Sequence, residues 1–198
     1  MPVRVGSLPQ AWSSPPGRVL LLTLALRLTY SLIGVSLAPT LALDPALIEM
    51  NQLTDNLMPQ SEGLRYGVLG IWERFDTLWY LRIAEHGYDL PQASVFYPLY
   101  PSLIRALSAI GIGGLASALI VSTMATFFLL LGLFRLAEMD LPAGAAWRSV
   151  LLLAAWPASF IFLAGYPDSL VLALVVWAVY WARTDRWGLA IKVAPPES

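Results

Sequence analysis

The sequence predicts an all-α integral membrane protein with about four transmembrane helices and an amphipathic juxtamembrane helix in the loop after the first. Composition points there first, because 58% of the 198 residues are hydrophobic and only 13% are charged, whereas an ordinary soluble domain is nearer half apolar and a quarter charged. The mean hydropathy is +0.66. The second observation is that the apolar residues gather in runs long enough for helices of about 20 residues to cross a bilayer. The third is that basic residues collect at alternate ends of those runs. Twelve Lys and Arg against 13 Asp and Glu leave a formal charge of −1, which offers no basic field for a nucleic-acid backbone. With no cysteine and one histidine, His86, disulfide frameworks, thiol nucleophiles and thiolate or His-rich metal sites are excluded. No cofactor and no metal site is assigned, and the chemistry must rest on carboxylates, arginines, hydroxyls and aromatics.

The elements follow in chain order. Residues 1–18 read as a cytoplasmic tail, and Val19 to Leu43, with the single charge Arg27, as the first span. That run is longer than the roughly 7–15 residues of a signal-peptide core, and Ala38-Pro39-Thr40 is a poor cleavage site. Gly114 to Phe134 is uncharged and forms the second span. Ser149 to Ala182 carries only Asp168, but as one helix it would reach roughly 50 Å against a core of about 30 Å. It therefore folds back at Gly165-Tyr166-Pro167-Asp168-Ser169, where Gly and Pro break a helix and Asp or Ser caps the next, giving a tight hairpin of two rather short spans. Residues 188–198 read as a disordered tail.

Orientation comes from the arginines. Arg4 and Arg18, Arg135 and Arg148, and Arg183, Arg186 and Lys192 all fall on one side if there are four spans. The outer loop, about residues 44–113, and the Tyr166–Ser169 turn then face the other compartment, and eight of the 13 acids lie in that loop. Val95 to Gly113 is apolar enough for a fifth span, which would lose the arginine asymmetry, so it is laid in or near the interface. Gly111 to Gly114 follows no strand and reads as a flexible start to a span.

The segment Ile71 to Tyr88 carries the densest chemistry and reads as a short helix ended by Gly87. At helical spacing Trp72, Asp76, Trp79, Tyr80 and Ile83 share a face, with Arg74, Leu78, Arg82 and Glu85 on another. Aromatics of this kind anchor a helix at the water–lipid boundary. A carboxylate among them is costly without a partner or a task, so Asp76 either pairs with a neighbouring Arg or does chemistry. Phe96-Tyr97-Pro98-Leu99-Tyr100-Pro101 cannot be a helix interior; it reads either as the rigid wall of an apolar groove or as an interfacial turn. Asp168 either caps the last span or, sharing a face of the membrane with Asp76, contributes to one site. Arg27 and Arg105 either snorkel or hold an anion, with Arg105 the better placed for a head group. His86 is given no role.

Taken together, Trp72-x-Arg74-Phe75-Asp76-x-x-Trp79-Tyr80-x-x-Ile83-Ala84-x-x-Gly87-Tyr88, Phe96-Tyr97-Pro98-Leu99-Tyr100-Pro101, Trp156-Pro157-Ala158-Ser159 and Tyr166-Pro167-Asp168-Ser169-Leu170 resemble the PIG-V family of mannosyltransferases, in its bacterial form. The likeness covers roughly Arg18 to Trp187. It implies a GT-C-like fold over residues 19–187 and transfer of a hexose, usually mannose, from a polyprenyl-phosphate sugar to a glycolipid or other hydroxyl acceptor on the non-cytoplasmic face. It implies Asp76 as the catalytic carboxylate, matching the acid of an Arg-Trp-Asp motif, and Asp168 as the counterpart of a Glu in a Tyr-Ser-Glu-Ser-Leu-like segment. Phe75, Pro167 and Asp168 depart from the family's usual residues. Trp72, Arg74, Tyr80, Tyr97, Tyr100 and Arg105 are expected to bind substrate. Family members run about twice as long, so the chain resembles an amino-terminal half, with a further polypeptide expected to supply the missing spans. The alternative is a non-catalytic membrane subunit or truncated remnant. The expected location is the plasma membrane in a bacterium and the endoplasmic reticulum in a eukaryote.

Overall fold

The structure, a computed structural model, describes residues 14–40, 57–58, 60–142 and 144–189. It is all-helical, with no strand among the described residues. Most of the expected amino-terminal tail, the carboxyl-terminal tail from residue 190, the end of the expected first span and the start of the outer loop lie outside these residues.

Helix α1, Pro15–Leu37, runs for 23 residues. Ser14 starts it by accepting the Gly17 N–H at 3.4 Å, and Pro15 and Pro16 occupy the first turn, where a missing donor costs nothing. Only Val19, Thr23 and Gly34 are buried, while Leu20, Leu21, Leu24, Leu28 and Leu32 stand exposed. Near its end α1 meets the short helix α2, Leu64–Val68, and the 3-10 turn Gly70–Trp72. The approach depends on glycine. A Cβ on Gly34 would collide with Ile71, and one on Gly67 would lie 3.1 Å from Val35 Cγ2.

The expected helix over Ile71 to Tyr88 is broken. The turn Gly70–Trp72 ends, Phe75 takes φ 51°, and a separate helix α3 spans Asp76–His86. Trp72 therefore does not continue the face that carries Asp76. Gly87, at φ 80°, ends α3 as expected. Helix α4, Leu99–Ser108, contains ten residues, about 15 Å, too short to cross a bilayer. Pro98 is its N-cap and Pro101 lies in its first turn, where backbone donors have no intrahelical acceptor. The two prolines thus start a helix instead of forming a rigid wall.

Helix α5, Gly114–Ala137, runs for 24 residues and is the centre of the fold. It packs against α1, α3 and α4, and against the two following helices, α6 at Ala145–Ala154 and α7 at Asp168–Arg183. Against four expected spans, two helices, α1 and α5, are long and apolar enough to cross a membrane. The expected third and fourth fall short because the chain breaks twice. After α6 it turns through Trp156 and Pro157, makes a 3-10 turn at Ser159–Phe162, and reaches α7 only after Pro167. One end of the bundle gathers basic residues: the Arg18 guanidinium lies 4.4 Å from the Trp147 ring centroid, and Arg183 makes a two-point pair with Asp140 at 2.5 and 2.7 Å.

The glycine contact gives a direct test. Gly34→Val inserts branched carbon into the space filled by Ile71 and is expected to cost about 1–3 kcal/mol, read as a lowered unfolding midpoint of the detergent-solubilised protein. An unchanged midpoint would mean that α1 does not pack there.

Candidate functional site

Both candidate carboxylates stand at the first position of a helix. The chain reaches Asp76 through Phe75 at φ 51° and ψ −130°, a conformation that glycine favours and that costs a larger residue about 1–3 kcal/mol. Phe75 is itself 77% exposed, so its side chain does not explain the strain. Asp168 opens α7 after Pro167, which is the N-cap. The expected capping by Asp168 is thus replaced by a place in the first turn, where a carboxylate still interacts well with the helix dipole. Neither helix start has a side-chain cap.

The two starts are brought together by Thr77 and Gly165. A Cβ on Gly165 would lie 2.6 Å from Thr77 Cγ2 and 2.8 Å from Thr77 Oγ1, so the loop before α7 can lie on α3 only because residue 165 has no side chain. Thr77 follows Asp76 directly, and Gly165 lies three residues before Asp168. Thr77 Oγ1 is buried with no hydrogen-bond partner among the described residues.

The loop is held from behind by side chains that bond its backbone carbonyls. Arg27 of α1 donates to Leu163 O at 2.7 Å and to Leu119 O of α5 at 3.3 Å. Thr126 donates to Phe162 O at 2.6 Å, and Ser122 to Tyr166 O at 3.2 Å. Ser169 returns a bond to Ser122 O at 3.3 Å. Tyr30 reaches Ser159 Oγ at 2.7 Å. Every carbonyl left open by the break in this stretch that these bonds reach would otherwise be a buried acceptor without a donor.

Asp76 and Asp168 are exposed and act electrostatically on each other. They also act on the same two phenols. Burial, then Asp76, then Asp168 push the Tyr80 hydroxyl up to about 12, and the same three causes in the same order push Tyr166 up to about 12. The site is therefore a pair of carboxylates at two helix starts, flanked by two phenols that stay protonated. It can take up a proton or hold a polyhydroxyl or cationic group; among the described residues no third His, Asp or Glu joins it to hold a metal.

The other expected binding residues divide. Tyr80 lies beside the pair, 6% exposed, its ring edge-on to Phe96 and Tyr100 at 5.1 and 5.0 Å. Trp79 stacks on Phe96 at 5.4 Å. Tyr97 is 65% exposed at the approach to α4. Arg74 donates through Nε to Ile71 O at 3.2 Å. Tyr100, expected to touch substrate, is instead a core residue, 1% exposed. Its hydroxyl meets Ala118 O at 3.0 Å and Ser122 Oγ at 2.7 Å, and burial pushes that hydroxyl further up than the others. Arg105, expected to face a phosphate, donates to Ala84 O at 2.6 Å and Glu85 O at 3.2 Å, closing the last turn of α3 at the end away from Asp76. Trp72 faces Arg27, whose guanidinium is 5.4 Å from the ring centroid. An open cleft of about 920 Å³ lies by Glu73, Arg82, Glu85 and Gly113 and includes neither aspartate. Sequence reasoning gave no site role to Thr77, Gly165, Ser122 or Tyr166; Gly165 and Tyr166 carried a signal, as part of the predicted turn, and Thr77 and Ser122 did not.

The phenols offer a titration test. A free tyrosine loses its proton near about 10, so between about pH 10 and 12 the folded state holds protons at Tyr80 and Tyr166 that the unfolded state has lost, and stability falls as pH rises. Asp76→Asn removes a negative charge and should move the Tyr80 transition downward, read as the 295 nm absorbance that Tyr80→Phe abolishes. No movement would separate Asp76 from Tyr80. Comparison of the chain with protein-family models, with curated proteins and with solved structures found no match.

Proposed function

We propose that the chain is a multi-pass membrane glycosyltransferase of the GT-C type, similar to the PIG-V mannosyltransferases, or the amino-terminal part of one. The observation that carries this reading is the pairing of Asp76 and Asp168 at the starts of α3 and α7, two segments far apart in sequence and both central to the resemblance. Membrane embedding is supported by α1, an apolar helix of 23 residues of which only three are buried, since the interior helix of a soluble protein would be covered. Four crossings need α6 with its following turn and α7 to serve as short or broken spans, an arrangement tolerated where protein groups satisfy the freed carbonyls. The basic end formed around Arg18, Arg135, Arg148 and Arg183 is then cytoplasmic, and the aspartates lie on the opposite face.

In the reaction, the Asp76 carboxylate takes the proton of an acceptor hydroxyl while that oxygen bonds to the anomeric carbon. The bond from that carbon to the phosphate oxygen breaks, and polyprenyl phosphate leaves with its electron pair. One displacement inverts the anomeric configuration. Asp168, at the start of α7, is assigned to hold a hydroxyl of the sugar or acceptor. Tyr97 and Trp79 offer apolar surface to the sugar or isoprenoid. The acceptor is a glycolipid or another membrane hydroxyl compound, and a polypeptide with further spans is the proposed partner.

Asp76→Asn keeps the shape and removes the base, so mannolipid synthesis in membranes should fall about 10²–10⁴-fold with the protein still inserted. Near-normal turnover would return Asp76 to a structural role. Purified lipid-linked mannose should support transfer where GDP-mannose, with carrier synthesis blocked, does not; equal product from the nucleotide sugar would overturn the reading.

A further inference from the structure

Glu73 is a buried carboxylate without a cation. It is 8% exposed, and one of its oxygens, Oε2, accepts the Met58 N–H at 2.7 Å. Oε1 takes no hydrogen bond among the described residues, yet it is not sealed off, and Glu73 lines the open cleft of about 920 Å³. The guanidiniums that line the same cleft are already paired, Arg65 with Glu62 at 2.6 Å and Arg82 with Asp89 at 2.6 Å. None of the ion pairs among the described residues includes Glu73. Burial pushes its carboxyl above the ordinary range, the Met58 N–H opposes that rise, and the weaker influences of Glu62 and Arg65 run in opposite directions. A second carboxylate, Glu85, stands exposed at the rim, 3.9 Å from His86. A negative charge withdrawn from water demands a partner, and the cleft is open enough to admit one.

We propose that this cleft binds a primary ammonium group carried on a short alkyl chain, with Glu73 Oε1 accepting its N–H and Glu85 adding negative charge at the rim. The chemistry of the cleft narrows the class. A neutral hydroxyl would leave the buried charge uncompensated. A guanidinium uses both carboxylate oxygens for its paired donors, and Oε2 is taken. A quaternary ammonium has no N–H to give. A metal ion lacks ligands, since no three His, Cys, Asp or Glu among the described residues gather to hold one. An ammonium brings charge and three donors to one point, and Leu69, Leu81 and Ile112 line the cleft as apolar surface for the carbon chain. The volume falls within the roughly 300–1,000 Å³ of small-molecule sites. The cleft includes neither Asp76 nor Asp168 and takes in the last turns of α3 instead, so the inference does not rest on the transferase reading. An ethanolamine lipid head group and a free amine share the required chemistry.

The test uses the full chain in neutral detergent micelles with ¹⁵N-labelled methionine. The Met58 amide donates to the Glu73 carboxylate and so reports on it; its signal is the one that Met58→Leu removes. Ethanolamine, dihexanoyl phosphatidylethanolamine and dihexanoyl phosphatidylcholine are titrated separately. The signal should move with an ethanolamine compound and stay still with the choline lipid. A shift with the ethanolamine lipid alone supports the site and assigns it a lipid source; a shift with free ethanolamine at the same concentration supports it and assigns a soluble one. Glu73→Gln keeps an oxygen acceptor for the Met58 N–H and removes the charge, so affinity should fall about tenfold or more. Glu85→Gln changes an exposed side chain and should weaken binding a few-fold, so it decides the matter if Glu73→Gln fails to fold. No shift with either ethanolamine compound, an equal shift with the choline lipid, or unchanged affinity in every variant that folds would overturn the site.

Discussion

The hydrogen bond from Arg27 to the Leu163 carbonyl is the interaction on which the rest of the arrangement depends. Each partner is a problem on its own. Arg27 places a guanidinium in an apolar helix, and Leu163 lies where the helical ladder between α6 and α7 has been abandoned, so its carbonyl has lost a helical donor. Together they resolve part of both difficulties, at 2.7 Å. Thr126 and Ser122 repeat the solution for Phe162 and Tyr166. A broken helix inside an apolar bundle is stable only under such conditions, and here the donors come from two helices that flank the break.

What the pinned loop achieves is placement. Holding Leu163 against α1 and Tyr166 against α5 fixes Gly165 where Thr77 can rest on it, and Asp168 then opens α7 beside the start of α3. The second device is the backbone at Phe75, which turns the chain into α3 at φ 51°. Without that turn, helix would continue from the Trp72 region and Asp76 would sit in mid-helix, its carboxylate away from a free helix start. Strain of this kind concentrates at functional sites, and it lies one residue before the carboxylate that the resemblance marks. The buried hydroxyls of Tyr100 and Ser122 complete the support by tying α4 to α5 just behind the loop.

How much of this was readable in the sequence varies with the range of the interactions involved. The apolar runs of α1 and α5 were legible because helix propensity and hydropathy act locally, and the start at Gly114 is the one expected. Gly87 and the Gly165 to Pro167 turn were legible for the same reason. The break before α3 was not, since periodicity over Trp72 to Ile83 is that of a helix and nothing local demands a positive φ at a phenylalanine. The last two helices were expected to be short, but the added break at Trp156 and Pro157 was not, since it depends on donors from α1 and α5. Asp76 and Asp168 were recognised as chemistry-bearing, but their approach rests on Thr77 and Gly165. Arg105 was misplaced because its acceptors, Ala84 and Glu85, lie some twenty residues away in sequence.

The central claim is that two carboxylates from distant segments meet, on what we propose is the outer face, because the loop before α7 is pinned. Since the chain has no cysteine, Asp76→Cys and Asp168→Cys can be combined and treated with a short, membrane-impermeant bis-maleimide on sealed vesicles of known orientation. Efficient intramolecular cross-linking from the non-cytoplasmic side, reduced when Arg27→Gln is added, is the predicted result. Absence of the cross-link, or its formation only after the membrane is permeabilised, would contradict the account.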